Sequence, residues 1–151
     1  MANILLDSDV IIEWLRGNEP FVTKIAELLE QHSQLLWTPV SVAEIYAGVR
    51  KSEETRAGNL FVLLESVSIS PDIGKKAGEY LKLYAKSHGV ESADALVGAC
   101  AFIEKLPLWT LNRKHYPMKD LSFFASGGSV CAGATGSQRS STKPIRAARE
   151  S

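Results

Sequence analysis

Residues 4–9, Ile-Leu-Leu-Asp-Ser-Asp, decide the fold of this chain, because three apolar residues lead directly into three polar ones. A short unbroken apolar run is typical of a strand buried on both faces, as in parallel sheets that helices cover. Ligands bind such sheets just beyond the carboxyl ends of the strands. We therefore predict that Asp7 lies at the ligand-binding edge of a parallel sheet.

The rest of the chain repeats this pattern of short apolar runs separated by amphipathic segments. Further strands are predicted at 35–37, 67–69 and 106–111, and the segments between them have helical periodicity. One of these helices is expected to open at Ser41. Strands that alternate with helices predict an α/β fold, a sandwich with a mostly parallel central sheet flanked by helices.

Composition fits a single domain with its own core, since the chain has 151 residues, of which 45% are hydrophobic and 23% charged. No apolar run approaches the roughly 18–20 residues that span a membrane, and the N-terminus lacks the pattern of a secretory signal. Cys100 lies in an apolar stretch and Cys131 in a Gly/Ser-rich one. We therefore expect no disulfide framework and a cytoplasmic protein.

Charge is unevenly distributed, although the net charge of the whole chain is zero. Residues 126–151 carry four basic side chains against one acidic, which leaves residues 1–125 with a net charge of −3. An acidic body argues against a broad electrostatic nucleic-acid binder, but not against an enzyme that holds phosphates through a metal ion. The tail at 126–151 has no periodicity, so we predict a folded domain at 1–125 and a disordered or non-native tail.

Four polar residues are predicted to meet at the carboxyl edge of the sheet: Asp7, Glu44, Asp94 and Asn112. Each has a purely structural alternative. Asp7 could cap a helix, Glu44 could close a capping box with Ser41, Asp94 could face a helix dipole, and Asn112 could serve a turn.

Convergence of the three acids would favour a metal site over these alternatives. Two carboxylates 5 Å apart repel by roughly 3 kcal/mol at an effective dielectric of 20. A bound cation would remove that repulsion, and oxygen ligands suit Mg²⁺ or Mn²⁺. Such an ion activates water and polarises a phosphodiester.

Four segments, in this order, resemble the signature segments of PIN-domain nucleases, and most closely those of VapC-type toxins. They are LLDSDV (5–10), PVSVAEI (39–45), SADALVGA (92–99) and TLNRKHY (110–116). The resemblance covers about residues 3–121. It implies a PIN-like three-layer sandwich and a Mg²⁺- or Mn²⁺-dependent endoribonuclease that cleaves RNA. It also implies a homodimer and a cognate antitoxin protein that covers the acidic site.

The same resemblance implies roles for individual residues. Asp7, Glu44 and Asp94 match the carboxylates that hold the metal, directly or through water. Asn112 matches a fourth catalytic position that is often Asp, so a second ion would bind more weakly here.

Residues near the acids are candidates for contact with the substrate. Ser8 could hydrogen-bond a carboxylate or a phosphate, or could simply cap a helix. Arg113 and His115 could contact RNA phosphates.

Two other functions fit parts of the sequence. Asp7 and Asp9 also match the start of haloacid-dehalogenase-type phosphatases, in which the first Asp is the nucleophile and the second the general acid. That fold needs a later acidic pair, which the segment around Asn112 does not offer. A non-catalytic RNA- or protein-binding module is the third interpretation, and retention of all three acids argues against it.

Overall fold

The computed structural model describes residues 2–125, and the tail predicted at 126–151 lies outside them. Between these limits the chain forms a four-stranded sheet and six α-helices. In chain order the elements are β1 (Asn3–Leu6), α1 (Ser8–Leu15), α2 (Phe21–Glu30), β2 (Gln34–Trp37), α3 (Pro39–Gly48), a 3-10 turn (Lys51–Glu53), α4 (Glu54–Phe61), β3 (Glu65–Ser66), α5 (Pro71–His88), α6 (Ser92–Ile103), β4 (Leu108–Trp109) and a second 3-10 turn (Arg113–His115).

The sheet is parallel throughout residues 2–125, with the strand order β3-β2-β1-β4. β1 is central, and Leu5 pairs with Leu36 on one side and with Leu108 on the other. Because both faces of the sheet are covered, the unbroken apolar run of β1 is buried on each side.

Successive side chains of β1 point to opposite faces of the sheet and enter two separate cores. Ile4 and Leu6 belong to the core shared with α1, α2, α3 and α4. Leu5 belongs to the other core, with residues of α5 and α6. The predicted three-layer α/β sandwich is confirmed.

The helix after β2 begins earlier than the sequence predicts. Thr38 is its N-cap, and the Thr38 hydroxyl accepts a hydrogen bond from the Ser41 N–H at 3.2 Å. Pro39 occupies the first turn, where its fixed φ and missing N–H suit a helix start. The predicted start at Ser41 was therefore wrong, and with it the capping box of Ser41 and Glu44.

The third strand lies at Glu65–Ser66, two residues before the predicted 67–69. Its partner β2 ends at Trp37 and α3 begins at Pro39, so strand pairing cannot extend much beyond this point. Val67 still donates its N–H to the Trp37 carbonyl at 2.9 Å, but its side chain packs in the core with α5 and α6. The prediction of a strand at 67–69 was therefore wrong: the apolar pattern there reflects burial against helices.

No helix within residues 2–125 combines the length and the apolar character needed to cross a membrane.

Candidate active site

The ends of β1 and β4 lie side by side at one edge of the sheet. The Asp7 N–H donates to the Trp109 carbonyl at 3.0 Å, so the first acidic segment continues the pairing of the two strands. Thr110 and Asn112 follow β4 directly, at the same edge. Parallel pairing is therefore what brings the segments at 7–9 and 110–116 together.

Asp7 is a buried carboxylate at this edge, only 7% exposed. As the N-cap of α1, its Oδ1 accepts a hydrogen bond from the Ser8 N–H at 2.8 Å. Its Oδ2 accepts from the Thr110 hydroxyl at 2.9 Å and from the Tyr116 hydroxyl at 2.8 Å. Three neutral donors therefore orient Asp7 without cancelling its charge.

Asp9 ties the start of α1 to the segment after β4. Its Oδ2 accepts a hydrogen bond from the Leu111 N–H at 3.1 Å and a longer one from the Thr110 hydroxyl at 3.3 Å. The Thr110 oxygen in turn accepts from the Asn112 N–H at 3.1 Å. Asp9 thus fixes the loop that presents Asn112.

Glu44 on α3 reaches the same edge through Ser8. The buried Ser8 hydroxyl donates to Glu44 Oε1 at 2.8 Å. The backbone N–H of the same serine bonds Asp7, so one residue connects both carboxylates. The capping role of Glu44 is replaced by a contact with α1.

Asp94, in the first turn of α6, faces the segment after β4. Its Oδ2 lies 3.7 Å from His115 Nδ1. Burial raises the pKa of the Tyr116 phenol well above its usual value, and the charges of Asp7 and Asp94 raise it further. Tyr116 therefore keeps its proton and remains a donor, and it lies within the electrostatic influence of both Asp7 and Asp94.

The edge thus holds Asp7, Glu44, Asp94 and Asn112 in one connected neighbourhood. However, no three His, Cys, Asp or Glu side chains among residues 2–125 are arranged as a ready-made metal site. The metal-binding roles of the three acids stay a prediction.

The remaining predicted residues lie around this neighbourhood. Asn112 is only 4% exposed, and its Nδ2 has no hydrogen-bond partner within the described part of the chain. The exposed Arg113 stacks its guanidinium 4.8 Å over the Phe123 ring. His115 contacts Asp94, as described above, so a role in RNA binding stays a prediction for both basic residues.

Thr110 and Tyr116 are site residues to which sequence reasoning gave no role, and Asp9 had a role only in the phosphatase interpretation. Thr110 and Tyr116 lie within the fourth signature segment, and Asp9 within the first. The available signal for Thr110 and Tyr116 was that both carry a hydroxyl and lie on either side of Asn112, just after a buried strand. A buried acid at the end of the neighbouring strand, such as Asp7, needs hydrogen-bond donors of this kind.

The sequence matches the PIN domain family over residues 4–121. The chain therefore belongs to the PIN domain family, and the match runs from within β1 to beyond β4. Curated relatives place it in the VapC branch of that family. VapC10 of Mycobacterium tuberculosis, named a ribonuclease, is 33% identical over 119 residues that cover 76% of this chain and 86% of that protein. Ribonuclease VapC19 of the same organism is 29% identical over 115 residues, or 92% of its length.

Solved structures share the fold. The VapBC2 structure from Rickettsia felis, bound to a promoter DNA fragment, superposes with a TM-score of 0.68 at 17% identity, covering 81% of this chain and 97% of that one. FitAcB from Neisseria gonorrhoeae gives 0.63 at 24% identity, covering 81% and 96%. A Klebsiella pneumoniae toxin–antitoxin complex gives 0.61 at 21% identity, covering 78% and 94%. At these identities the likeness supports the fold alone.

Proposed function

We propose that this protein is a Mg²⁺- or Mn²⁺-dependent endoribonuclease that acts as the toxin of a toxin–antitoxin pair. The relatives named ribonucleases support the reaction class. The observation that carries the proposal is the setting of Asp7, a buried carboxylate whose three donors among residues 2–125 are neutral. The charges of Asp9 and Asp94 also act on Tyr116, one of these donors. No ion pair among residues 2–125 involves Asp7.

The donor set at this edge fits a hard divalent cation. Carboxylate oxygens are the ligands that Mg²⁺ and Mn²⁺ prefer. Asp7, Glu44 and Asp94 would hold the ion. When bound, the cation supplies the positive charge that activates water and polarises a phosphodiester.

The protein's own residues would orient the reactants. Thr110 and Tyr116 hold the Asp7 carboxylate in one position. Asn112, whose carboxamide has both a donor and an acceptor, would orient a phosphate oxygen or the attacking water. Arg113 and His115 lie on the 3-10 turn beside these groups, where they would contact the phosphates of bound RNA.

The proposal also includes a cognate antitoxin as partner, a homodimeric state and a cytoplasmic location. The solved structures of similar fold include a toxin–antitoxin complex and VapBC complexes, which supports a protein partner for this chain. An acidic edge that binds a cation is also a surface that a basic antitoxin segment would complement.

The family match favours the nuclease over the haloacid-dehalogenase phosphatase. In the phosphatase reading Asp9 would be the general acid. Asp9 is only 1% exposed, and its Oδ2 is engaged by the Leu111 N–H and the Thr110 hydroxyl, so it serves the fold here.

RNA cleavage with Mn²⁺ and Mg²⁺ tests the proposal. We expect structured RNA to be cut, EDTA to stop the cutting, and a phosphomonoester to remain intact. The Asp94→Asn variant should cut at least about 10²-fold more slowly, because altering even an outer partner of a metal ligand costs 10–100-fold.

Asp72→Asn is the matched control, since Asp72 lies in the first turn of α5 as Asp94 does in that of α6. Both changes remove a charge that faces a helix dipole, worth about 0.3–1 kcal/mol of stability. Only Asp94→Asn should lose activity. Full activity in Asp94→Asn would remove Asp94 from the mechanism. RNA binding without cleavage would favour a non-catalytic module, and phosphate release would favour the phosphatase.

A further inference from the structure

We infer that Tyr116 is a positioning residue that sets Asp7 for the cation, so that this tyrosine controls metal affinity without touching the metal. The inference rests on the proposed function. Its starting point is the hydrogen bond of 2.8 Å from the Tyr116 hydroxyl to Asp7 Oδ2, across 109 residues of sequence.

The ring of Tyr116 is held in place by the core. The residue is only 2% exposed and packs in the core with α5 and α6. A Cβ added at Gly98 on α6 would lie 3.7 Å from Tyr116 Cδ1, so the ring rests against the backbone of that helix. The hydroxyl is therefore a donor of fixed position, and its hydrogen bond orients the Asp7 carboxylate.

The donors around Asp7 are unequally divided between its two oxygens. Oδ2 accepts from the hydroxyls of Thr110 and Tyr116, which use both of its in-plane lone pairs. Among residues 2–125, Oδ1 accepts only the Ser8 N–H. Oδ1 therefore keeps a lone pair for the cation, and the two hydroxyls decide which way that lone pair points.

Outer partners of this kind have measurable effects on metal binding. Groups that hydrogen-bond a ligating carboxylate fix its orientation, and their removal typically costs 10–100-fold in metal affinity. Without the phenol, Asp7 would keep Thr110 and the Ser8 N–H but would lose its anchor on the α6 side of the sheet.

The protein contains a matched control for this bond. The Tyr80 hydroxyl donates to Asp120 Oδ1 at 2.7 Å, and Tyr80 is also 2% exposed. Phenylalanine at either position deletes one phenol–carboxylate bond and leaves the ring to pack. Only the bond of Tyr116 reaches a predicted metal ligand.

The experiment measures Mn²⁺ binding to the full chain by the electron paramagnetic resonance signal of free Mn²⁺. We expect Tyr116→Phe to raise the Kd by about 10–100-fold and Tyr80→Phe to leave it unchanged. Without metal, the Tm of both variants should fall by similar amounts. Raising the Mn²⁺ concentration should restore RNA cleavage by Tyr116→Phe, because the defect lies in binding the ion.

Two results would overturn the inference: a wild-type Kd in Tyr116→Phe, or a loss of cleavage that saturating Mn²⁺ does not restore. A rise in Kd as large in Tyr80→Phe as in Tyr116→Phe would also overturn it, since the effect would then be a general loss of stability. Absence of Mn²⁺ binding by the wild-type protein would overturn the proposed function, and this inference with it.

Discussion

Two tyrosines of this protein donate to aspartates, and the two pairs lie in opposite electrostatic settings. Tyr80 donates to Asp120 at 2.7 Å, and Lys76 lies 3.2 Å from the same carboxylate. Tyr116 donates to Asp7 at 2.8 Å, and no lysine or arginine within residues 2–125 forms an ion pair with Asp7. Within residues 2–125, one carboxylate has a countercharge beside it and the other has none.

We propose that this difference separates a structural use of a carboxylate, at Asp120, from a functional one, at Asp7. Lys76 also lies 4.2 Å from the centre of the Phe102 ring, so the Asp120 cluster joins α5, α6 and the segment after β4. At the sheet edge, the donors to Asp7 among residues 2–125 are all neutral, so they fix its geometry and leave its negative charge available. That charge would attract a cation from solution.

Removing the charge of Asp7 and, separately, that of Asp120 gives the largest expected difference between the two pairs. Asp7→Asn should abolish the rise in Tm caused by Mn²⁺ and lower RNA cleavage at least about 10²-fold, since a ligand matters no less than its outer partners. In the wild-type protein, Mn²⁺ at 100 times its Kd should add about 2.7 kcal/mol to the free energy of unfolding.

Asp120→Asn should show the reverse behaviour. It should keep the full Mn²⁺ response and full cleavage. Its metal-free Tm should fall slightly, because a partly exposed ion pair contributes about 0–1 kcal/mol. The metal-free Tm of Asp7→Asn should stay the same or rise, since that change relieves repulsion among buried acids. Equal responses of the two variants to Mn²⁺ would erase the distinction between the pairs.

Two buried serines sharpen the comparison at a smaller scale. Ser8→Ala removes the hydroxyl that donates to Glu44 at 2.8 Å, and we expect RNA cleavage to fall about 10-fold. Ser41→Ala is the matched control. Ser41 is also fully buried, and its hydroxyl has no hydrogen-bond partner among residues 2–125, so its loss should be neutral or slightly stabilising. Cleavage rates and unfolding curves of both variants would be measured together, and equal rates would exclude a role for the Ser8 bond.

Acid should affect the Asp120 pair in a predictable direction. Burial acts to raise the pKa of Asp120, but the hydrogen bond from Tyr80 and the contact with Lys76 outweigh it, so the net pKa is lowered. A carboxyl group of lowered pKa stabilises the fold above its unfolded-state pKa, and this stabilisation disappears as the pH falls through the folded-state pKa.

The wild-type protein should therefore be slightly more stable than Asp120→Asn at neutral pH, and the gap should close below about pH 4, near the ordinary pKa of aspartate. Urea unfolding at several pH values would measure the gap. A gap that is constant across this range would show that the charge of Asp120 does not stabilise the fold.

Much of the fold could be predicted because its signals are local. The apolar run of β1 and the helical periodicity between strands indicated the parallel sandwich, and the shared edge of parallel strands placed Asp7 beside the end of β4. The prediction for β3 was wrong because a buried residue such as Val67 has the same pattern whether it pairs in a strand or packs under helices.

The sequence by itself determined how strands and helices alternate along the chain. It also determined which acidic residues follow the strands, because periodicity and strand ends are properties of neighbouring residues. Only the tertiary structure decided that Glu44 meets Ser8, 36 residues away, instead of capping its own helix. It also decided that Tyr116, 109 residues from Asp7, supplies a donor to that carboxylate. Such contacts depend on how layers pack across the sheet, and no local pattern of residues encodes that packing.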